Sequence, residues 1–176
     1  MVTIAEARAA PARAVLGVLA RLVVGGVWLV AGVLKLPHPV ENVRAVRAYQ
    51  ILPEAVVPLV GHALPALEIV VGASLLVGFL TRLTAAVSAL MLVAFVIGIS
   101  AAWARGLAID CGCFGGGAGP TADATAKYPW DIARDVGLLL LSAWLVWRPR
   151  TPWSLDQRLL PTQPPVEPAA RDVGWH

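Results

Sequence analysis

Residues Leu83–Ala104 read LTAAVSALMLVAFVIGISAAWA, a run without one charged side chain. At 1.5 Å per residue a helix of this length rises about 33 Å, enough to cross a hydrocarbon core of about 30 Å. A helix with no polar face has no stable place on the surface of a soluble domain. The solvent of this stretch is therefore lipid. The whole chain agrees: it is 58 % hydrophobic and 14 % charged, where ordinary soluble domains run near 45–50 % and 25 %. Mean hydropathy is +0.73. With 176 residues there is room for one bundle of about four spans and no additional folded domain. The net charge of +3 is small and dispersed, which argues against a nucleic-acid surface and for basic residues flanking membrane spans.

Upstream, Thr81-Arg82 reads as a turn so short that the preceding span must be an antiparallel neighbour. That span covers Val56–Leu80, and Pro58 and Pro65 predict a kink in its first half. Glu68 falls in its middle, where an ionised carboxylate costs on the order of 3 kcal/mol or more unless paired. Lys35, His62 and Arg134 are the candidate partners, and spacing alone does not choose among them. His62 by itself reads as structural. Between Lys35 and Ala55, Val40, Val43, Val46 and Tyr49 recur at helical spacing opposite Glu41, Arg44 and Arg47. This is the pattern of a short amphipathic helix in the interface, entered through Pro37-His38-Pro39 and ended before Pro53. Ala14–Leu34 is too long for the h-region of a signal peptide, about 7–15 residues, and reads as an uncleaved first span. Arg21 is its one charge, and Gly25, Gly26 and Gly32 predict a face for close helix packing.

Downstream, Trp103 and Arg105 mark an exit at the interface, and Tyr128-Pro129-Trp130 marks re-entry. The fourth span is expected over Ile132–Trp147, opening with Asp131, Arg134 and Asp135. Asp131, three residues before Arg134, is its expected ion-pair partner. The loop between Gly106 and Trp130 holds both cysteines of the chain, in Asp110-Cys111-Gly112-Cys113-Phe114-Gly115-Gly116-Gly117. Cysteines at i and i+2 do not face each other on a helix. A disulfide, which needs its Cα atoms about 4.4–6.8 Å apart, therefore calls for the turn-like backbone that these glycines provide. A bridge over one residue is strained and prone to exchange. Cys111 and Cys113 are thus the candidate redox pair. Arg134, just past the loop, is placed to favour a thiolate, and Glu68 is a supporting candidate.

Four spans put both termini on one side. Arg8, Arg13, Arg82, Arg148, Arg150, Arg158 and Arg171 lie there, against Lys35, Arg44, Arg47, Arg105 and Lys127 on the other. The positive-inside rule then places the termini in the cytoplasm of a bacterial cell membrane and the cysteines outside, where disulfides form and exchange. The organisation expected is a cytoplasmic segment 1–13, a membrane domain 14–147 and a Pro-rich disordered cytoplasmic tail 148–176.

Asp110-Cys111-Gly112-Cys113-Phe114-Gly115 in the last loop of a four-span protein resembles the methylamine utilisation protein family MauE. Gly32-x-x-Lys35, the amphipathic connector, Leu67-Glu68 and Gly78 resemble the related DoxX proteins. The resemblance covers roughly Val15 to Trp147. It implies an all-α, polytopic membrane protein, a four-transmembrane-helix bundle with a short interfacial amphipathic helix between spans one and two. It further implies disulfide formation with a thioredoxin-like extracytoplasmic partner, and in MauE itself maturation of the disulfide-rich small subunit of methylamine dehydrogenase. Cys111 and Cys113 would be the redox pair, and Arg134 would match a basic residue opening the last helix. By analogy with DsbB and vitamin K epoxide reductase, which use two cysteine pairs, a membrane quinone is a candidate electron acceptor for this single pair. The competing reading is a non-catalytic membrane scaffold for a redox or maturation complex. A metal site of Cys111, Cys113, Asp110 and His38 lacks the ligand spacing that zinc requires, so no metal is expected.

Overall fold

The computed structural model describes residues 4–109 and 124–148, with side chains from residue 14 onward and, in the last helix, from residue 126. Cys111 and Cys113, and the tail beyond residue 148, lie outside the described residues. Five helices are described: α1 (Ile4–Lys35), α2 (Pro39–Ala48), α3 (Val57–Val77), α4 (Thr81–Ala104) and α5 (Ala124–Trp147). Three of them, α1 over Ala14–Lys35, α3 and α4, are long and apolar enough to cross a membrane. The fourth span expected over Ile132–Trp147 is part of α5, which carries Lys127, Asp131, Arg134 and Asp135 in its first half.

Helix α5 starts eight residues earlier than the sequence reading expects. Tyr128-Pro129-Trp130, which the sequence marks as the edge of a loop, lies inside the helix. Pro129 stands sixth in the helix, so it forfeits one backbone bond, to the Thr125 carbonyl. Ala124 and Ala126 favour helix around it, and Tyr128 is anchored, as described below.

The bundle turns large apolar side chains outward and buries polar ones within its apolar core. Leu59, Val70, Leu90, Ile97 and Leu140 are exposed, whereas Arg21, Lys35, Glu68, Ser88, Asp135 and Ser142 are buried. That inversion is the signature of a protein dissolved in hydrocarbon, where apolar groups gain nothing from hiding and polar groups must find partners.

Helix α1 packs along α3, α4 along α5, and α2 lies across α3. The α1–α3 seam is built on glycine. A Cβ on Gly72 would stand 2.5 Å from Leu29 N and 2.8 Å from the Gly25 carbonyl, and one on Gly32 would meet the Pro65 carbonyl at 2.7 Å. Gly25 and Gly32, seven residues apart on one helix face, therefore serve the close packing that was expected of them. Gly26 does not: a Cβ there would touch nothing within 4 Å, because one residue turns the side chain about 100° around the helix.

The turn between α3 and α4 comes three residues before the predicted Thr81-Arg82, which instead begin α4. Gly78 ends α3 in the left-handed region, φ 72° and ψ 39°. Phe79 N donates to the Ser74 carbonyl at 2.9 Å and Gly78 N to that of Leu75 at 3.2 Å, a Schellman closure. Helix α3 continues through Pro65. Helix α2 occupies the predicted amphipathic segment with Pro39 opening it and no residue fully buried. Its backbone rests on α3 where Gly61 leaves room: a Cβ there would lie 2.7 Å from Val43 Cα.

Candidate functional site

The end of the bundle where α1 stops, α3 begins, α4 stops and α5 begins gathers Glu68 and Arg134, the nominated residues that lie within the described part of the chain. Lys35 closes α1, and its Nζ donates to Glu68 Oε1 at 2.5 Å. Their side chains are 6 % and 0 % exposed. Of the three partners considered for Glu68, the structure selects Lys35. His62 points outward and bonds the Pro58 carbonyl one turn back on its own helix, at 2.6 Å. Arg134 is held by two carboxylates. It reaches Asp131 at 3.2 Å, as the i, i+3 spacing predicts, and clamps Asp135 Oδ1 through Nε at 3.0 Å and Nη2 at 2.9 Å. Asp135 is buried, and its part in this clamp is not legible from position alone.

The two ion pairs meet at a small cavity of about 20 Å³ walled by Trp28, Glu68, Phe95, Arg134 and Asp135, among others. Glu68 Oε2 and Asp135 Oδ2, both buried, have no hydrogen-bond partner among the described residues. On the other side of Phe95 lies a larger cavity of about 310 Å³, between α2, α3 and α4. Its lining is almost wholly apolar, including Val46, Leu64, Met91 and Phe95, with Lys35 and Asn42 among its few polar groups. Lys35 Nζ sits 5.8 Å from the Phe95 ring centre. Asn42 donates to the Lys35 carbonyl at 2.8 Å, which folds α2 back over the end of α1. This cavity is near the lower limit of about 300 Å³ for small-molecule sites.

The segment leading into the cysteines is fastened to this same end. Tyr128, buried in α5, accepts from Ile109 N at 3.0 Å and shares its own proton between the carbonyls of Leu107 at 2.6 Å and Ile109 at 2.8 Å. Its ring packs against Trp103, centre to centre 6.5 Å. Arg105 donates to the carbonyls of Tyr49 and Gln50, pinning the C-terminal end of α2 to the exit of α4. The sequence marks Tyr128 only as an interfacial aromatic; its role as the anchor of residues 107–109 needs the fold. At the rim of this end, the exposed Arg47–Glu54 pair, 2.5 Å apart, holds the Glu54 carboxyl below its usual pKa, chiefly through the hydrogen bond from Arg47.

One further polar chain escapes the sequence reading, which found no marker in α4. Trp28 Nε1 donates to Ser88 Oγ at 2.7 Å, and Ser88 and Ser142 hydroxyls lie 3.0 Å apart. Ser142 donates to the Leu138 carbonyl at 2.9 Å, so Ser88 is the donor to Ser142. The chain ties α1, α4 and α5 together below the ion pairs.

The model of the methylamine utilisation protein MauE family matches residues 13–148, which includes every described span, the site and the intervening cysteine segment. The chain belongs to the MauE family. It is accordingly a membrane protein of a family linked to methylamine utilisation. No curated protein and no solved structure matches it. In this MauE-family chain the match begins one residue before the predicted first span and ends one residue after α5, so it coincides with the helical bundle.

Proposed function

We propose that this protein is a four-span membrane module for thiol–disulfide exchange, with Cys111 and Cys113 as its redox pair on the extracytoplasmic face and a thioredoxin-like protein as partner. The observation that carries this reading is the anchoring of Leu107–Ile109 by the Tyr128 hydroxyl. It holds residues 107–109, which precede the cysteines in the chain, at the end of the bundle that also holds the charged site. Helix α5 serves as the fourth span. Trp130 and Trp147, 74 % and 86 % exposed, stand about 26 Å apart along it, near the two interfaces where tryptophan collects. Its charges are tolerated because Arg134 pairs with both Asp131 and Asp135 within the bundle.

In the exchange, a partner thiolate attacks one sulfur of an oxidised Cys111–Cys113 pair and forms a mixed disulfide. The second partner thiolate resolves it, so the partner gains a disulfide and the pair becomes a dithiol. An apolar two-electron acceptor of the quinone class would restore the pair, taking two electrons and both thiol protons to become a hydroquinone. The cavity beside Lys35 has the apolar lining and the single cationic donor that a ring with carbonyl acceptors requires. Arg134 and Glu68 act as supporting residues by organising this end of the bundle.

The test is alkylation of intact cells with a membrane-impermeant maleimide, before and after mild reduction. Labelling of both cysteines only after reduction is the expected result; no labelling in either state refutes an outward, reducible pair. If a double Cys111→Ser, Cys113→Ser variant keeps full partner maturation, the protein is a scaffold rather than an exchanger.

A further inference from the structure

The cluster between α1, α3 and α5 contains three carboxylates, Glu68, Asp131 and Asp135, and two cations, Lys35 and Arg134. Helix α4 closes the cluster with Leu92 and Phe95 and adds no titratable group. Fully ionised, the cluster would carry one uncompensated negative charge inside a membrane protein, where such a charge is expensive. Two carboxylate oxygens, Glu68 Oε2 and Asp135 Oδ2, are buried without a donor among the described residues. Both residues wall the same cavity of about 20 Å³, room for one water, which needs roughly 10–15 Å³ and two or more polar partners.

We infer that this small cavity is a proton-binding site, holding one exchangeable proton and one water between Glu68 and Asp135. One proton and one water satisfy both orphaned carboxylate oxygens, whichever of the two carboxyls carries the proton. A protonated Glu68 Oε2 donates to the water, and the water donates to Asp135 Oδ2. The proton also cancels the excess charge, so geometry and charge count require the same particle. Lys35 links the site to the larger cavity, since it lines that cavity while bonding Glu68 Oε1. A hydrogen-bond acceptor entering the larger cavity would compete with Glu68 for Lys35 and so shift the proton. The inference stands on the cluster alone and does not depend on the cysteines.

The test is infrared spectroscopy of the full chain in lipid nanodiscs at neutral pH, reading the carboxylic-acid C=O band that an ionised carboxylate lacks. The parent protein should show a band worth one carboxyl that shifts on transfer to D2O. Glu68→Gln and Asp135→Asn should each abolish it, because two carboxylates then face two cations. Asp131→Asn, at a less buried position away from the small cavity, should abolish it too, which keeps the test open if a buried substitution fails to fold. Lys35→Met should double the band. No band in the parent, or a band of unchanged intensity in any of the three carboxylate variants, overturns the proposal.

Discussion

Replacing Gly72 by alanine adds one methyl group at the point where α1 and α3 come closest. That Cβ would meet Leu29 N at 2.5 Å, the Gly25 carbonyl at 2.8 Å and Leu29 Cα at 3.0 Å. All three are backbone atoms, so no rotamer change relieves the contact. Restoring an ordinary separation of 3.4 Å requires the two helices to part by about 0.9 Å. Parting them loosens the whole seam, including the close approach of Gly32 to the Pro65 carbonyl, and pulls Lys35 from Glu68. Overpacking of this kind costs about 1–3 kcal/mol in cores that can adjust, and here the rigid neighbours place the cost at about 3 kcal/mol. Gly26→Ala is the internal control. Its Cβ meets nothing within 4 Å, and removing a helix glycine is worth up to about 1 kcal/mol of propensity. Unfolding of both variants in mixed detergent micelles, followed by far-UV circular dichroism, should separate them by about 3–4 kcal/mol. Equal stability of Gly72→Ala and Gly26→Ala would refute the glycine seam.

Other consequences are open to measurement. Lys35→Met should destabilise the bundle by about 1–3 kcal/mol, because it leaves Glu68 Oε1 buried without its donor, and Glu68→Leu added to it should recover most of the loss; the double-mutant cycle in micelles reads both. Tyr128→Phe removes the hydroxyl that Ile109 N donates to, at a cost of about 1–3 kcal/mol. Amide exchange at Ile109 should accelerate while exchange in the middle of α4 stays slow. Ser88→Ala unseats both Trp28 and Ser142 and should cost about 1 kcal/mol, with a shift in Trp28 fluorescence. The Arg47–Glu54 pair depresses the Glu54 carboxyl. Its contribution is therefore present above the ordinary carboxylate range near 4.3 and is lost as pH falls through the lowered folded value. Both groups are fully exposed, so Glu54→Gln should leave the neutral-pH melting temperature unchanged, and salt should weaken whatever effect it has on the position of α2.

Much of the fold was legible because a bilayer sets lengths. The ends of α3 and α4 fall within three residues of the predicted spans, since an apolar run long enough to cross can do little else. The amphipathic pattern around Val43 located α2. Boundaries failed where local signals conflict, as at Pro129, which reads as a breaker yet sits where a helix can absorb it. For the site, single positions were legible: an acid in mid-span, a basic residue at the end of α1, a charged first half in α5. Apart from the Asp131–Arg134 pair, which the i, i+3 spacing gives, their partners were not. Apolar residues surround α3 on all sides, so its sequence does not say which way Glu68 faces.

By itself the sequence determined that this chain lives in lipid, where its apolar runs lie, and which few positions carry a charge within them. Those properties follow from transfer free energy and residue count, which need no neighbour. Only the tertiary structure decided that Glu68 meets Lys35, that Asp135 joins Arg134, that Gly25 and not Gly26 forms the seam, and that Tyr128 moors the segment entering the cysteines. These depend on how each helix is rotated about its own axis. In hydrocarbon that rotation is chosen by backbone approach and polar pairing between helices, and a uniformly apolar surface carries no record of it.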